Sequence, residues 1–396
     1  MQEEPTKIWN RDFVYLLLID LAVMLGNYMM RPIISTYAVE LGASLAVAGI
    51  VAGLAFAVAT LMRPVTGFLS DRLGKKTMFL IATIAFTAAS FGCALANSVV
   101  FVGICCAIQG VALSFQAIGL TALVTLSVPR SRIGSAMGWM GIIITITMAV
   151  GPGIAASLAE WGGYRASFTF GGTLCAISFI MLAFFKAPEG ARGHQAINEN
   201  AGGSRVAHIL KQSFHGPTVP IAMTALMSMW AGSSLSSLLF TIEATGYLTH
   251  AVWYFTVYAV VALCVRPLAG WASDRTQSAT VAAPLLLLGA AGMVVLVFGH
   301  GAVAVIIAGV CMGAGQASAL SVVQAESVRG VDAAHLGRAT NTYYLGVDLG
   351  AALGTWVGGI LMQIGTPALM FGFNAFTCIA AASAVIALHF AKKRRR

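Results

Sequence analysis

Long apolar stretches alternate with short polar ones along the whole chain. Apolar windows cover about 13–36, 45–69, 77–96, 99–127, 135–158 and 164–186. A polar stretch, 187–216, follows and opens with A-P-E-G-A-R-G-H-Q-A-I-N-E-N. Six more windows come after it, about 217–240, 248–272, 278–299, 301–324, 337–362 and 366–390. A helix needs about 20 apolar residues to cross the hydrocarbon core of a bilayer. The pattern therefore predicts an all-α integral membrane protein with 12 transmembrane helices. It divides as an N-terminal six-helix bundle (1–186), a cytoplasmic linker (187–216) and a C-terminal six-helix bundle with a basic tail (217–396). The first window is too long for the apolar region of a signal peptide and lacks a small-residue cleavage site, so it is read as a retained helix.

Composition agrees with this pattern. Of 396 residues, 58% are hydrophobic and 9% are charged, against about 25% charged in a soluble domain. Too little polar surface exists to cover a water-soluble globule. Glycine, at 43 residues, suits close-packed membrane helices. The seven cysteines (93, 105, 106, 175, 264, 311, 378) all lie in apolar runs, so neither a disulfide framework nor a metal-ligand spacing is readable.

The net charge of +9 matters through its placement. With the N-terminus in the cytoplasm, every Lys and Arg except Arg31, Arg63, Arg165 and Arg266 falls in the tails or in loops on one side. That is the positive-inside asymmetry. It places both termini in the cytoplasm and accounts for the basic balance without nucleic acid.

The two halves repeat. Residues 63–72 read R-P-V-T-G-F-L-S-D-R and residues 266–275 read R-P-L-A-G-W-A-S-D-R, identical at six of ten positions. The same offset of 203 pairs Glu40 with Glu243, Gly134 with Gly337 and Gly151 with Gly354, and sets Ala155-Ala156 against Gly358-Gly359. One ungapped offset serving all these landmarks indicates a duplicated six-helix unit. Parallel repeats of this kind build transporters with a midplane site.

The loop after the second helix reads Gly67-Phe68-Leu69-Ser70-Asp71-Arg72-Leu73-Gly74-Lys75-Lys76. It resembles the G-x-L-a-D-r-x-G-r-k signature of the major facilitator superfamily. Gly151-Pro152 with Ala155-Ala156 is similar to that family's antiporter motif, with Thr147 at its upstream glycine. Gln109-Gly110 is similar to its R-x-x-Q-G motif, with Cys106 at the arginine position. Over essentially its whole length the chain is identified as a member of this superfamily, similar to its twelve-helix drug and metabolite efflux members. The resemblance implies a gate at Gly67, Asp71, Arg72, Gly74 and Lys75, with Asp71 facing the start of the eleventh helix near Gly337. Asp274 and Arg275 are the weaker copy in the second half, because T-Q-S-A-T follows them instead of the glycine and paired lysines.

Polar residues inside the apolar windows are the other candidates, because they must face protein or water. Asp20, Asn27 and Arg31 share one stripe of the first helix, within about 20° at 100° per residue. Gln109 and Gln116, seven apart, share a stripe of the fourth. Trp230 with Ser233, Ser234 and Ser237 lies on the seventh, and Gln316 on the tenth. The resemblance implies that helices 1, 4, 7 and 10 line a central cavity. Asn27, Arg31, Gln109, Gln116, Trp230 and Gln316 are the substrate-binding candidates. A glutamine can equally be interhelical glue, and Arg31 can reach the interface as a solvated charge. Gly346, Gly350, Gly354 and Gly358 form a ridge for close approach to a neighbouring helix. Asp348 lies about 140° from the middle of that ridge. Asp20 and Asp348 are the candidate proton-coupling carboxylates.

No P-loop, metalloprotease or serine-hydrolase motif is present, so no catalytic residue, metal or cofactor is expected. The leading expectation is a secondary active transporter of the plasma (bacterial inner) membrane. It would act as a monomer among membrane lipids, moving a small organic solute by alternating access, with export driven by H+. The alternative is proton-coupled uptake or facilitated exchange of an organic anion that contacts Arg31. A non-transporting sensor or lipid-handling protein on the same fold is the reading from another class.

Overall fold

The apolar windows fold as helices. The computed structural model describes residues 8–129, 132–186, 215–329, 331 and 336–394. The first four helices are α1 (Arg11–Glu40), α2 (Leu45–Arg72), α3 (Lys75–Leu95) and α4 (Val99–Ser127). The next span, Ile133–Phe184, is broken at Gly162 (φ −137°) and Gly163 (φ 73°). Its arms are α5 (133–161) and α6 (164–184). Positive φ is open to glycine at little steric cost, which is why the chain can turn there. The second half holds α7 (Val219–Ala244), α8 (Val252–Arg275), α9 (Ser278–Phe298), α10 (Ala302–Val328), α11 (Leu336–Ile364) and α12 (Pro367–Arg394). No strand occurs among the described residues. Eleven described helical spans are long and apolar enough to cross a membrane, the longest holding both α5 and α6. α10 contains a π turn over 313–317.

The described residues group into two compact units. The first takes in residues up to Arg31 and Val58–Ile209; the second takes in Pro32–Ala57 and Leu210–Arg396. The division expected from the sequence placed all of 1–186 in one bundle. Residues 32–57 group instead with the second unit, for two local reasons. Ser35 Oγ donates to the Ser237 carbonyl at 2.6 Å, and Thr241 Oγ1 reaches Ser35 Oγ at 2.8 Å and Thr36 Oγ1 at 3.1 Å. Farther along, Gly49 of α2 lies directly on Gly359 of α11, and Trp356 Nε1 donates to the Ile50 carbonyl at 3.0 Å. The change of unit within α1 falls at Pro32, which has no backbone N–H to continue the helical ladder. The linker expected at 187–216 lies outside the described residues up to 214.

Each unit has its own core. In the first, Phe13, Leu16 and Ile19 of α1 pack with Phe79 and Phe86 of α3, Phe115 of α4, Met140 of α5 and Leu182 of α6. In the second, the glycine ridge of α11 packs directly on the backbone of α7. Cβ atoms added at Gly346, Gly350 and Gly354 would run into the carbonyls of Ala222, Leu226 and Trp230 on α7. The matching four-residue steps bring the two backbones together without side chains between them. Contact packing of this kind drives helix association where lipid removes the hydrophobic incentive.

Candidate functional site

In the first unit the two polar stripes meet as a ladder. α1 and α4 run antiparallel, and each carries its polar residues two turns apart, about 10 Å along the axis. Gln116 Nε2 donates to Asp20 Oδ1 at 3.4 Å, and Gln109 Nε2 donates to Asn27 Oδ1 at 3.3 Å. Arg31 Nε donates to the same Asn27 oxygen at 2.8 Å, and its guanidinium stands 4.8 Å from the centre of the Tyr28 ring. Asp20, Asn27, Gln109 and Gln116 are each no more than 2% exposed. Asp20 Oδ2 and Asn27 Nδ2 have no hydrogen-bond partner among the described residues. A carboxyl group held by a neutral amide can keep that bond in either protonation state, because Gln116 only donates to it.

The second unit arranges its candidates otherwise. Gln316 lies in the π turn of α10 and is 2% exposed. Tyr258 of α8 donates to its Oε1 at 3.1 Å, and its Nε2 reaches the Ser228 carbonyl of α7 at 3.4 Å. Gly232 makes room for this amide: an added Cβ would stand 2.7 Å from Gln316 Nε2. Arg266 Nε donates to the Ala317 carbonyl at the end of the turn at 3.3 Å. Trp230 faces another way, its ring 5.8 Å from that of Phe373 on α12. Within the first unit the expected lining residues divide, Gln116 joining the coupling candidate Asp20 and Gln109 joining Asn27 and Arg31; within the second, Gln316 and Trp230 have different neighbours.

Asp348 is 8% exposed on α11. Gly74 has φ 64° at the start of α3, a conformation that favours glycine. Lys76 Nζ donates to the Ala183 and Phe185 carbonyls at 2.9 and 2.7 Å, closing the end of α6. The side chains of Asp71 and Arg72, and the start of α11 at Gly337, lie outside the described side chains, as does the expected contact between them. In the second half, Asp274 pairs with Arg329 at 3.4 Å in an exposed setting, and the Arg275 guanidinium lies 4.0 Å over the Trp271 ring.

Sequence reasoning missed Tyr258 and the hydroxyls of Ser35, Thr36 and Thr241. Tyr258 sits in an unbroken apolar window and carries no spacing signal. A membrane-helix hydroxyl can bond its own helix as easily as a neighbour, so sequence does not reveal which it does.

A family model described as Major Facilitator Superfamily matches residues 16–327 and again 249–396. Quinolone resistance protein NorA of Staphylococcus aureus is 29% identical over 160 residues, 40% of this chain and 41% of its own. Multi-drug resistance efflux pump PmrA of Streptococcus pneumoniae serotype 4 is 30% identical over 138 residues, 34% of each chain. The chain thus spans about two fifths of the length of the first of these curated relatives. A POT family transporter in complex with a thioalcohol conjugated peptide superposes with a TM-score of 0.81 at 13% identity, over 99% of both chains. Another, in complex with 5-aminolevulinic acid, gives 0.78 at 13%, over 97% of this chain and 96% of its own. At these identities the structural likeness is one of fold.

Proposed function

The chain belongs to the Major Facilitator Superfamily of multi-pass membrane transporters, and on that premise we propose that it exports a small organic solute by alternating access, driven by inward movement of protons. The resistance proteins NorA and PmrA support the direction of transport. The observation that carries the coupling is the rung between Asp20 and Gln116, a carboxyl group 1% exposed and held by a neutral amide.

The proton moves in two steps. Asp20 takes a proton from water while its surroundings open outward, and it gives the proton back to water when they open inward. Deep in a membrane protein the neutral acid is the easier form to carry between the two sides. Asp348 is the second candidate carrier. The Lys and Arg asymmetry supports cytoplasmic termini; the proposed setting is a bacterial inner membrane, with the protein acting as a monomer. Asp71 and Gly74 of the basic loop hold the cytoplasmic side closed.

A second reading rests on Arg31. Its Nε is fixed by Asn27 at 2.8 Å, which orients the planar guanidinium to meet an organic anion. In that case the protein takes up or exchanges the anion.

The test is transport in proteoliposomes under an imposed pH gradient. Asp20→Asn is expected to abolish gradient-driven transport while solute exchange persists. If Asp20→Asn and Asp348→Asn each keep gradient-driven transport, neither is the coupling group. A wild type that ignores the gradient removes the antiport reading and leaves facilitated movement.

A further inference from the structure

Four side chains of the second unit carry five buried polar atoms without a hydrogen-bond partner among the described residues. They are the hydroxyls of Ser228 and Ser234, the indole N–H of Trp230 and both ends of the Asn374 amide. Ser228, Ser234 and Asn374 are 0% exposed. Buried polar groups in native proteins are almost always paired, and each exception calls for a cause. A helical serine can bond the carbonyl three or four residues back. Ser236 does so, reaching the Ser233 carbonyl at 3.4 Å. Ser228 and Ser234 do not.

Three of the four side chains converge on one seam. A Cβ added to Gly358 would touch Ser234 Oγ and stand 3.4 Å from Met370 Sδ, so Ser234 of α7 and Met370 of α12 meet there. One turn back along α7, Trp230 packs on Phe373, farther along α12. The two helices are therefore antiparallel. Asn374 follows Met370 by four residues and shares its stripe. Trp230, Ser234 and Asn374 thus bracket one place between α7 and α12, with the Phe373 ring beside it. Ser228 lies apart, where its carbonyl meets Gln316.

The repeat provides an internal control. The offset of 203 carries Phe168, Phe170 and Cys175 of α6 onto Phe371, Phe373 and Cys378 of α12. Exposure follows identity: 0, 43 and 0% in the first set, 0, 37 and 0% in the second. Under that offset Asn374 corresponds to Gly171 and Met229 to Gly26. A Cβ added to Gly26 would meet the Gly171 carbonyl at 2.7 Å. The first half closes this seam with two glycines. The second half puts an amide there and leaves it unpaired.

We propose that the α7–α12 seam binds an uncharged polar group attached to a flat ring, such as an aryl amide. Trp230 Nε1 donates to its carbonyl, Asn374 both donates and accepts, and Ser234 completes the set. α7 up to Ile242 holds no Asp, Glu, Lys or Arg, and neither does α12 up to Ala391, so a charged group would find no counter-ion on these helices. The same hydrogen bonds suit a trapped water, and the experiment separates the two. The inference rests on the transporter reading, since the solute brings the group in.

The probe is 1-naphthaleneacetamide, with 1-naphthaleneacetate as its charged control, added to the purified full chain in detergent. Binding is read from the rise in melting temperature. A second reading is the indole N–H resonance of Trp230 in protein labelled with 15N at tryptophan, assigned by its loss in Trp230→Phe. The amide should stabilise the wild type and move that resonance, and the carboxylate should do neither. Asn374→Leu should fold, be at least as stable without probe, and bind the amide at least tenfold more weakly. If Asn374→Leu fails to fold, Ser234→Ala and Trp230→Phe carry the same comparison. An unmoved Trp230 resonance overturns the proposal, as does equal affinity in wild type and variants. Variants that lose stability but keep affinity assign the seam to water. If the amide binds as expected but wild-type proteoliposomes do not move it, the export reading fails and the binding site stands.

Discussion

Where α1 carries Asp20, Asn27 and Arg31, α7 carries Met223, Trp230 and Ser234, each 203 residues on. Where α4 carries Gln109, α10 carries Met312. The first half spends these positions on a charged and amide ladder whose rungs hydrogen-bond across two helices. The second half fills them with thioethers, an indole and a hydroxyl, and carries its buried amides elsewhere, Gln316 in the π turn of α10 and Asn374 on α12. A duplicated scaffold has thus been given unlike chemistry at like places. The difference divides the labour that the proposed function needs: a titratable group in one bundle, and apolar or neutral contacts for a solute in the other.

The largest expected effect comes from the backbone contacts. Gly354 sits on the Trp230 carbonyl with no room for a Cβ, whereas a Cβ on its repeat counterpart Gly151 would stand 3.2 Å from Met29 N. Alanine is the better helix former by about 1 kcal/mol. Gly151→Ala should therefore leave unfolding free energy in mixed micelles within about 1 kcal/mol of wild type, with the propensity gain offsetting slight crowding. Gly354→Ala should lose about 1–3 kcal/mol through overpacking. Equal losses at the two sites would mean the halves are packed alike.

Next in size is the ladder. Gln116→Leu strips Asp20 of the amide that donates to it and should cost about 1–3 kcal/mol. A double-mutant cycle of Asp20→Asn with Gln116→Leu should show a coupling of about 0.5–3 kcal/mol. Gln116→Leu with Gln316→Leu should be additive, because the two amides bond different helices. Additivity in the first cycle would break the ladder.

The smallest contrast concerns the two R-P-x-x-G-x-x-S-D-R segments. Asp71→Asn should raise cysteine accessibility from the cytoplasmic side and slow transport several-fold. Asp274→Asn removes only an exposed pair with Arg329, with side chains 79 and 42% exposed. Such pairs contribute about 0–1 kcal/mol, so its transport rate should match wild type. Like effects at both sites would mean the second copy gates as well.

Helix extents were legible from the apolar pattern, and α4 most of all. The window 99–127 coincides with Val99–Ser127 because Ser98 caps the helix, its hydroxyl accepting from Phe101 N at 3.3 Å. The α1 window stopped at 36, while the helix continues to Glu40. A helix does not end where its apolar residues do. The seven-residue spacings also disclosed which polar side chains share a face. They did not disclose that Asp20 meets Gln116 and Asn27 meets Gln109, since pairing depends on which helices touch and in which direction. Trp230 illustrates the limit: its stripe with Ser234 was readable, but that the stripe turns to α12 was not. Nothing in Gly313-Ala314-Gly315 announces a π turn, because small residues permit one without requiring it.

That turn has a consequence for the duplication itself. The two halves align without a gap, yet α10 uses about one residue more than α4 to complete its turns. Beyond Ala317 its side chains are advanced by about 100° relative to those of an uninterrupted helix. The tenth helix contains a phase dislocation: numbering stays in step with the fourth helix while direction does not. A rule that transfers facing residues from α4 to α10 by number therefore holds up to Met312 and points to the wrong neighbour after Ala317. Deleting a single residue within Gly313–Ala317 would restore the directions and break the numbering.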